Sequence, residues 1–307
     1  EWRTRLQEVQ RRGLERNLRP LHMISSTQAE SDGRVLEVFS SNDYLGLAQH
    51  PELQAAWKGG GSGSSRLIAG SRPVHERLES QLEEHFGRPV LVFSSGYQAN
   101  LAVMTTLFQD HHVVGSDRLN HASIIDGLRL SACSVSVSKH GVFDPDADAQ
   151  VVEGLYSMDG DRIDLTQNPD QFLVVDEAHS VGAIGPEGRG VSADQGREPD
   201  VLVGTFGKAY GAAGAFVVLD EEAKRLLVSQ GRSFVYTTAL AEPAAYAALK
   251  GFELATDERR ERLEANVNRF RDGLRDQGVP TLGEDHVVPV VLAERTMPVA
   301  EKLLDKE

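Results

Sequence analysis

The sequence predicts an α/β domain built on a mostly parallel sheet, and three observations carry that expectation. Short valine-rich apolar runs recur along the chain, amphipathic stretches separate them, and Gly, Asp or Ser closes most of the runs. The runs are VLVF (90–93), HVVG (112–115), the alternation around Val135 and Val137, FLVVD (172–176), VLVG (201–204) and AFVVL (215–219). Near-continuous apolarity of this length predicts strands buried on both faces. Helical spacing is clearest from Val74 through Leu78 and Leu82 to Phe86. It recurs from about Glu253 to Leu274, where Leu263, Val267, Phe270 and Leu274 share a stripe, and more loosely at Leu6, Val9, Leu14 and Leu18.

Bulk properties narrow the function. A chain of 307 residues can bury one large core or two smaller ones. The net charge of −14 argues against nucleic acid or an anionic membrane as the main partner, because both would be repelled. A single cysteine, Cys133, closes no intrachain disulfide and suggests a reducing compartment. The polar N-terminus EWRTRLQEVQRR has no signal-peptide core, and no apolar run is long enough to cross a bilayer. Together these predict a cytoplasmic protein.

Two motifs mislead. VVDEAH (174–179) has the look of a nucleotide-hydrolase magnesium motif, but the phosphate loop it needs is missing: Leu202 and Ala209 stand where that loop requires Gly and Ser or Thr. GGGSGSSRLIAG (59–70) follows no strand, so it predicts a turning loop rather than a dinucleotide fingerprint. His111 and His112 lack thiol or carboxylate partners at ligand spacing, which argues against a metal site.

In parallel sheets ligands gather beyond the carboxyl ends of the strands, and the unusual residues cluster there. Lys208 follows VLVG among glycines. Asp176 closes FLVVD, and His179 lies three residues on. Ser95, Gly96 and Tyr97 occupy a strand–turn–helix junction whose free N–H groups suit an anion. His121, in LNHAS, offers a flat ring after the HVVGSD strand. A lysine for an aldehyde, a carboxylate for a pyridinium, N–H groups for a phosphate and a planar partner for a ring are what pyridoxal 5'-phosphate requires. On that reading the glycines around Lys208 let a planar cofactor lie against the backbone.

The same residues carry a family resemblance. SSNDYLGLAQHP (40–51), GSGSSRLIAGSRPVHERLE (61–79), SSGYQAN (94–100), DRLNHASIIDGLRLS (117–131), VEGLYSMDGD (152–161), VDEAHSVGAIGPEGRG (175–190) and TFGKAYGAAG (205–214) span most of residues 40–240. The chain resembles the α-oxoamine synthases, fold-type-I pyridoxal phosphate transferases that condense an amino acid with an acyl thioester and release carbon dioxide. TFGKAYG, FVYTTAL (234–240) and GSGSSRLIAG are most similar to the branch using L-alanine and a pimeloyl thioester, carried on coenzyme A or a carrier protein. LNHASIIDG is shared with a glycine-using branch.

The resemblance implies a central sheet with helices on both faces and a small α+β domain. Residues 1–44 would be an N-terminal helix and arm belonging to the small domain, 45–245 the large cofactor domain, and 246–307 a C-terminal small domain cut short at AEKLLDKE. It implies that Lys208 forms the imine link, His121 stacks on the ring, Asp176 pairs with the ring nitrogen and His179 bonds the phenolic oxygen. Ser95, Gly96, Tyr97, Ser157 and Thr205 would surround the cofactor. Thr237 and Thr238 would reach the phosphate across a homodimer interface. Arg16 (or Arg19), Asn42 and His121 would meet substrate.

Several spacings are short for the family. DPDADAQ alone separates Phe143 from Val151, and TQNPDQ separates Leu165 from Phe172, where full helices are expected. Parallel strands need a crossover of about a dozen residues. Either the connections are truly shortened, leaving a cofactor-binding remnant, or these residues are the ordered part of a longer chain; the intact flanking strands favour the second.

Overall fold

In the computed structural model, which describes residues 1–168, 170–292 and 295–304, the chain divides into two units, Glu1–Ser41 and Asn42–Glu307. The first unit holds helix α1 (Trp2–Arg11) and an antiparallel sheet of β1 (His22–Met23), β2 (Gln28–Ser31) and β3 (Arg34–Glu37). The predicted N-terminal stripe is only partly helical. Gly13, at φ +64°, follows α1 closely and leaves Leu14 and Leu18 beyond it.

The second unit runs in chain order through α2 (Pro51–Ala56), α3 (Pro73–Phe86), β4 (Val90–Phe93), α4 (Gly96–Leu107), β5 (Val113–Asp117) and α5 (Ala122–Leu130). Then come β6 (Ser134–Ser138), β7 (Ala149–Glu153), β8 (Phe172–Asp176), α6 (Val191–Asp194), β9 (Val201–Thr205) and β10 (Ala215–Val218). Helices α7 (Glu221–Gln230), α8 (Arg232–Val235), α9 (Glu242–Leu254), α10 (Asp257–Asp276) and α11 (Thr296–Leu304) complete it. Each predicted apolar run is a strand. β7 escapes that reading because Gln150 and Glu153 interrupt its apolarity, although every residue in it is buried. The helix predicted from about Glu253 begins at Asp257. Ahead of it lies a separate helix, α9, whose buried alanines carry too weak a periodic signal.

The seven large-unit strands lie in the order β4-β10-β9-β8-β7-β5-β6, and all pairings are parallel except those of β10. One face packs Val114, Val151, Val174, Val203 and Val217 against Val103 and Met104 of α4, Ile124 and Leu128 of α5, Leu227 of α7 and Phe234 of α8. On the other face, Val90, Val92, Leu202, Phe216 and Val218 meet Val74, Leu78 and Leu82 of α3 and Ala245, Ala248 and Leu249 of α9. Beneath β7 and β8 the cover changes. Val152, Leu173 and Val175 are buried by Phe143, Leu155, Tyr156, Ile163, Leu165 and Ile184, which come from loops and short turns.

That change follows from the short connections. Residues 139–148 join β6 to β7 without a helix, although β5 lies between these strands. Returning along five residues of strand and across two spacings covers roughly 20 Å, and ten extended residues reach about 33 Å. The connection therefore closes, but it leaves no helix to cover the outer strand. The expected burial on both faces fails at β6, where Val135 and Val137 are 41% and 69% exposed.

An exposed apolar edge strand invites pairing with another chain. Val137→Lys is expected to reduce concentration-dependent light scattering while changing urea-unfolding stability by no more than about 0.5 kcal/mol.

Candidate active site

Strands β7, β8 and β9 and helices α4 and α5 deliver their ends to one cavity of about 210 Å³, lined among others by Gly96, Tyr97, His121, Asp176, His179, Thr205 and Lys208. Seven of the residues predicted from sequence thus meet there. The rest lie elsewhere. Ser95 is the N-cap of α4 and accepts from the Gln98 N–H at 3.3 Å. Ser157 sits in the turn after Tyr156, and Asn42 is exposed just before Tyr44. Thr237 accepts from Gln98 Nε2 at 3.1 Å, and the Thr238 carbonyl accepts from Ser94 Oγ at 3.2 Å. Arg16 and Arg19 are exposed in the N-terminal unit, on the stretch between α1 and β1.

Asp176 ends β8 and is buried. One of its carboxylate oxygens accepts from Asn100 Nδ2 at 2.7 Å, the other from the Ala178 N–H at 2.9 Å. Asn100 Nδ2 also donates to Ser123 Oγ at 2.9 Å, and Ser123 Oγ lies 2.7 Å from His121 Nδ1. The Ser123 backbone N–H donates to that same nitrogen at 3.2 Å. A backbone N–H can only donate, so His121 Nδ1 is an acceptor and the proton of the neutral ring is on Nε2. The ring meets Tyr97 edge-on, with centroids 6.3 Å apart.

Lys208 follows β9 and makes no hydrogen bond or ion pair among the described residues. Burial lowers its ammonium pKa, and the charges of Asp176 and Glu153 partly restore it. Glu153 ends β7 in direct register with Asp176. Burial, and then Asp176 beside it, raise its carboxyl pKa, so the pair favours carrying one negative charge. His179 is buried and pushed down to about 3, first by desolvation and then by Lys208. Its Nδ1 lies 2.6 Å from the Tyr44 hydroxyl. His286 lies against the Tyr44 ring, with centroids 4.2 Å apart, and its Nε2 donates to the His179 carbonyl at 2.9 Å. Desolvation holds His286 down at about 4.

The glycines around Lys208 require a correction. A side chain at Gly204 would collide with the Phe216 ring, one at Gly211 with residues 47–48, and one at Gly214 with Leu240. Gly211 and Gly214 also have positive φ. These glycines serve the packing of the protein itself, and only Gly207 has room above it. Thr205 is likewise engaged, donating to the Gly214 carbonyl at 3.0 Å and accepting from the Gly207 N–H at 3.1 Å.

Sequence reasoning missed Tyr44, Asn100, Ser123 and Glu153. Each lies inside a stretch singled out above, yet none has a chemistry-bearing signal of its own. Their roles come from strand register and from contacts between distant segments.

The donor set suits pyridoxal phosphate. An unpartnered buried amine shares a cavity with a carboxylate, and the free N–H end of α4 opens at Gly96, where a side chain would meet empty space. Among the described residues no cluster of His, Cys, Asp or Glu could hold a metal ion, and no helix is long and apolar enough to cross a membrane.

Comparison with known proteins agrees with this chemistry. The aminotransferase class I and II family model matches residues 35–150 and 151–307. The chain is 41% identical over 280 residues to 8-amino-7-oxononanoate synthase of Halorhodospira halophila, covering 83% of this chain and 70% of that protein. It is 37% identical over 336 residues to the enzyme of that name from Pelobacter propionicus, covering 98% and 85%. An alignment longer than the 307-residue chain means the relative carries internal residues this chain lacks, in keeping with the short spacings. Among solved structures, serine palmitoyltransferase of Sphingomonas wittichii superposes with a TM-score of 0.83 at 30% identity, covering 93% of this chain and 79% of that one. The 8-amino-7-oxononanoate synthase of Francisella tularensis gives 0.75 at 27% identity, covering 87% and 85%.

His179 and His286 stay neutral in the fold to about pH 3 and 4, whereas unfolded histidines protonate near pH 6.5. Below pH 6.5 the unfolded chain thus binds more protons, and stability is lost as the pH is lowered through that window. Urea unfolding between pH 7 and 5 is expected to lose on the order of 1 kcal/mol per pH unit for each histidine. His286→Gln should remove about half of that slope.

Proposed function

We propose, from the premise that this chain belongs to the aminotransferase class I and II family and within it to the α-oxoamine synthases, that it joins L-alanine to a pimeloyl thioester. The products are 8-amino-7-oxononanoate, carbon dioxide and the free thiol, in biotin biosynthesis. The chain is a pyridoxal-phosphate-dependent acyltransferase. The observation that carries the reading is the convergence of Lys208 after β9, Asp176 and His179 at the end of β8, and His121 after β5 on one cavity.

When bound, the cofactor supplies a protonated heterocycle that accepts the electron pair left on the substrate Cα. Lys208 Nζ is its covalent anchor. Its lowered pKa also suits Nζ, once released, to take the Cα proton. Asp176 pairs with the ring nitrogen. With Glu153 keeping its own proton, one carboxylate charge then balances one ring charge. His121 would stack on the ring, and its Nε2–H, left free because Nδ1 accepts from Ser123, would polarise the thioester carbonyl. His179 holds the phenolic oxygen. The N–H groups after Ser95, at Gly96 and Tyr97, receive the phosphate, with Thr205 and Ser157 beside the cofactor. In a homodimer Thr237 and Thr238 serve the phosphate of the neighbouring subunit's site. Asn42 meets the substrate.

The similarity to serine palmitoyltransferase supports a second reading, in which serine or glycine replaces alanine. Thiol release measured with alanine, glycine and serine in turn decides between them, alanine being expected to give the highest kcat/KM. Lys208→Ala is expected to lose roughly 10²–10⁴-fold or more in turnover, the size of a general-base contribution, and to lose borohydride-fixed cofactor. Undiminished turnover in that variant would refute the assignment.

A further inference from the structure

Tyr44, His179 and His286 form a closed group that the reaction described above leaves unexplained. The Tyr44 hydroxyl is 2.6 Å from His179 Nδ1, and its other neighbour, Asn42 Oδ1, is 3.4 Å away. Two arrangements of protons are possible. If Tyr44 donates to Nδ1, its proton lies in the short bond and the imidazole proton is on Nε2. If Nδ1 donates instead, the phenol proton is left with the distant Asn42 oxygen, and most of a hydrogen bond is lost. Burial raises the Tyr44 pKa, so the hydroxyl keeps its proton and remains a donor. The first arrangement is the one the geometry favours.

The group is braced from several elements. Asp43 accepts from the Leu47 and Ala48 N–H groups at 2.8 and 3.0 Å and fixes the turn that carries Tyr44. Arg162 pairs with Asp285, and Arg271 of α10 donates to the Asp285 carbonyl at 2.8 Å, which holds His286 in place. His286 then closes the group through the Tyr44 ring and the His179 carbonyl.

We propose that Tyr44 is a positioning residue that holds His179 as the Nε2–H tautomer, so that the imidazole presents a donor to the phenolic oxygen of the bound cofactor. The inference rests on the reading that His179 faces that oxygen. Lys208, His121 and His286 are the charged or titratable groups that act on the His179 ring. A tautomer with its proton on Nδ1 would offer the oxygen only a lone pair.

Two measurements test the proposal. In the cofactor-free protein labelled with ¹⁵N-histidine, and with the signal assigned through His179→Gln, the wild type is expected to show His179 protonated at Nε2 and bare at Nδ1. Tyr44→Phe keeps the ring against which His286 packs and is expected to abolish that pure pattern. In the loaded enzyme, an oxygen that loses its donor becomes more basic. The pH midpoint of the cofactor's visible absorbance is therefore expected to rise by about 1 unit in Tyr44→Phe, as for loss of one hydrogen bond to a charged group. Nδ1 protonation in the wild type overturns the proposal without recourse to any variant. An unchanged tautomer or an unchanged midpoint in Tyr44→Phe overturns it as well. Failure of borohydride to fix cofactor at Lys208 would instead strike the functional reading and leave the tautomer result standing.

Discussion

The carboxylate of Asp176 lies at the end of a central strand, nearly sealed from water, and much of the site makes that burial tolerable. An unpaired carboxylate there would cost several kcal/mol. Asn100 and the Ala178 N–H satisfy one oxygen each, and Asn100 passes the constraint to Ser123 and His121. One desolvated charge thereby ties α4 and α5 to β8 and fixes the ring that opens on the cavity. Lys208 lies in the same field. Removing the carboxylate would strand Asn100 and leave the amine without its strongest counter-charge.

The residue beside Asp176 does a different job. Glu177 turns away from the cavity and is buried completely, accepting from the Ser180 and Ser192 hydroxyls and from the Val191 and Ser192 N–H groups at 3.0 and 2.7 Å. Side chains at Gly154 and Gly190 would strike it, which explains small residues in two segments far apart in sequence. Within VDEAH, then, Asp176 and His179 face the cavity, while Glu177 anchors the loop that enters α6.

Short connections alter the architecture without moving the site. The groups lining the cavity project from the carboxyl ends of β7, β8 and β9 and from the starts of α4 and α5, whereas the missing helices would cover a face of the sheet. Loops cover β7 and β8 well enough to bury Val152, Leu173 and Val175. At β6 they do not, and Val137 stands in solvent. The cost falls on the edge, away from the chemistry.

The strands, their order of appearance, and the clustering of Lys208, Asp176, His179 and His121 at strand ends were legible in the sequence. Valine-rich runs and rare residue types are local signals, and a parallel sheet gathers its ligands at one edge. Helix α9 and strand β7 were harder to read, because small or polar residues blurred their periodicity. What only the tertiary structure decided is which neighbours tune those groups. Glu153 opposite Asp176 depends on strand register, and Tyr44 and His286 around His179 depend on segments 135 and 107 residues away. The glycines near Lys208 show the same division: their spacing was plain, but what they make room for is Phe216, Leu47 and Leu240, a matter of packing that a linear pattern does not encode.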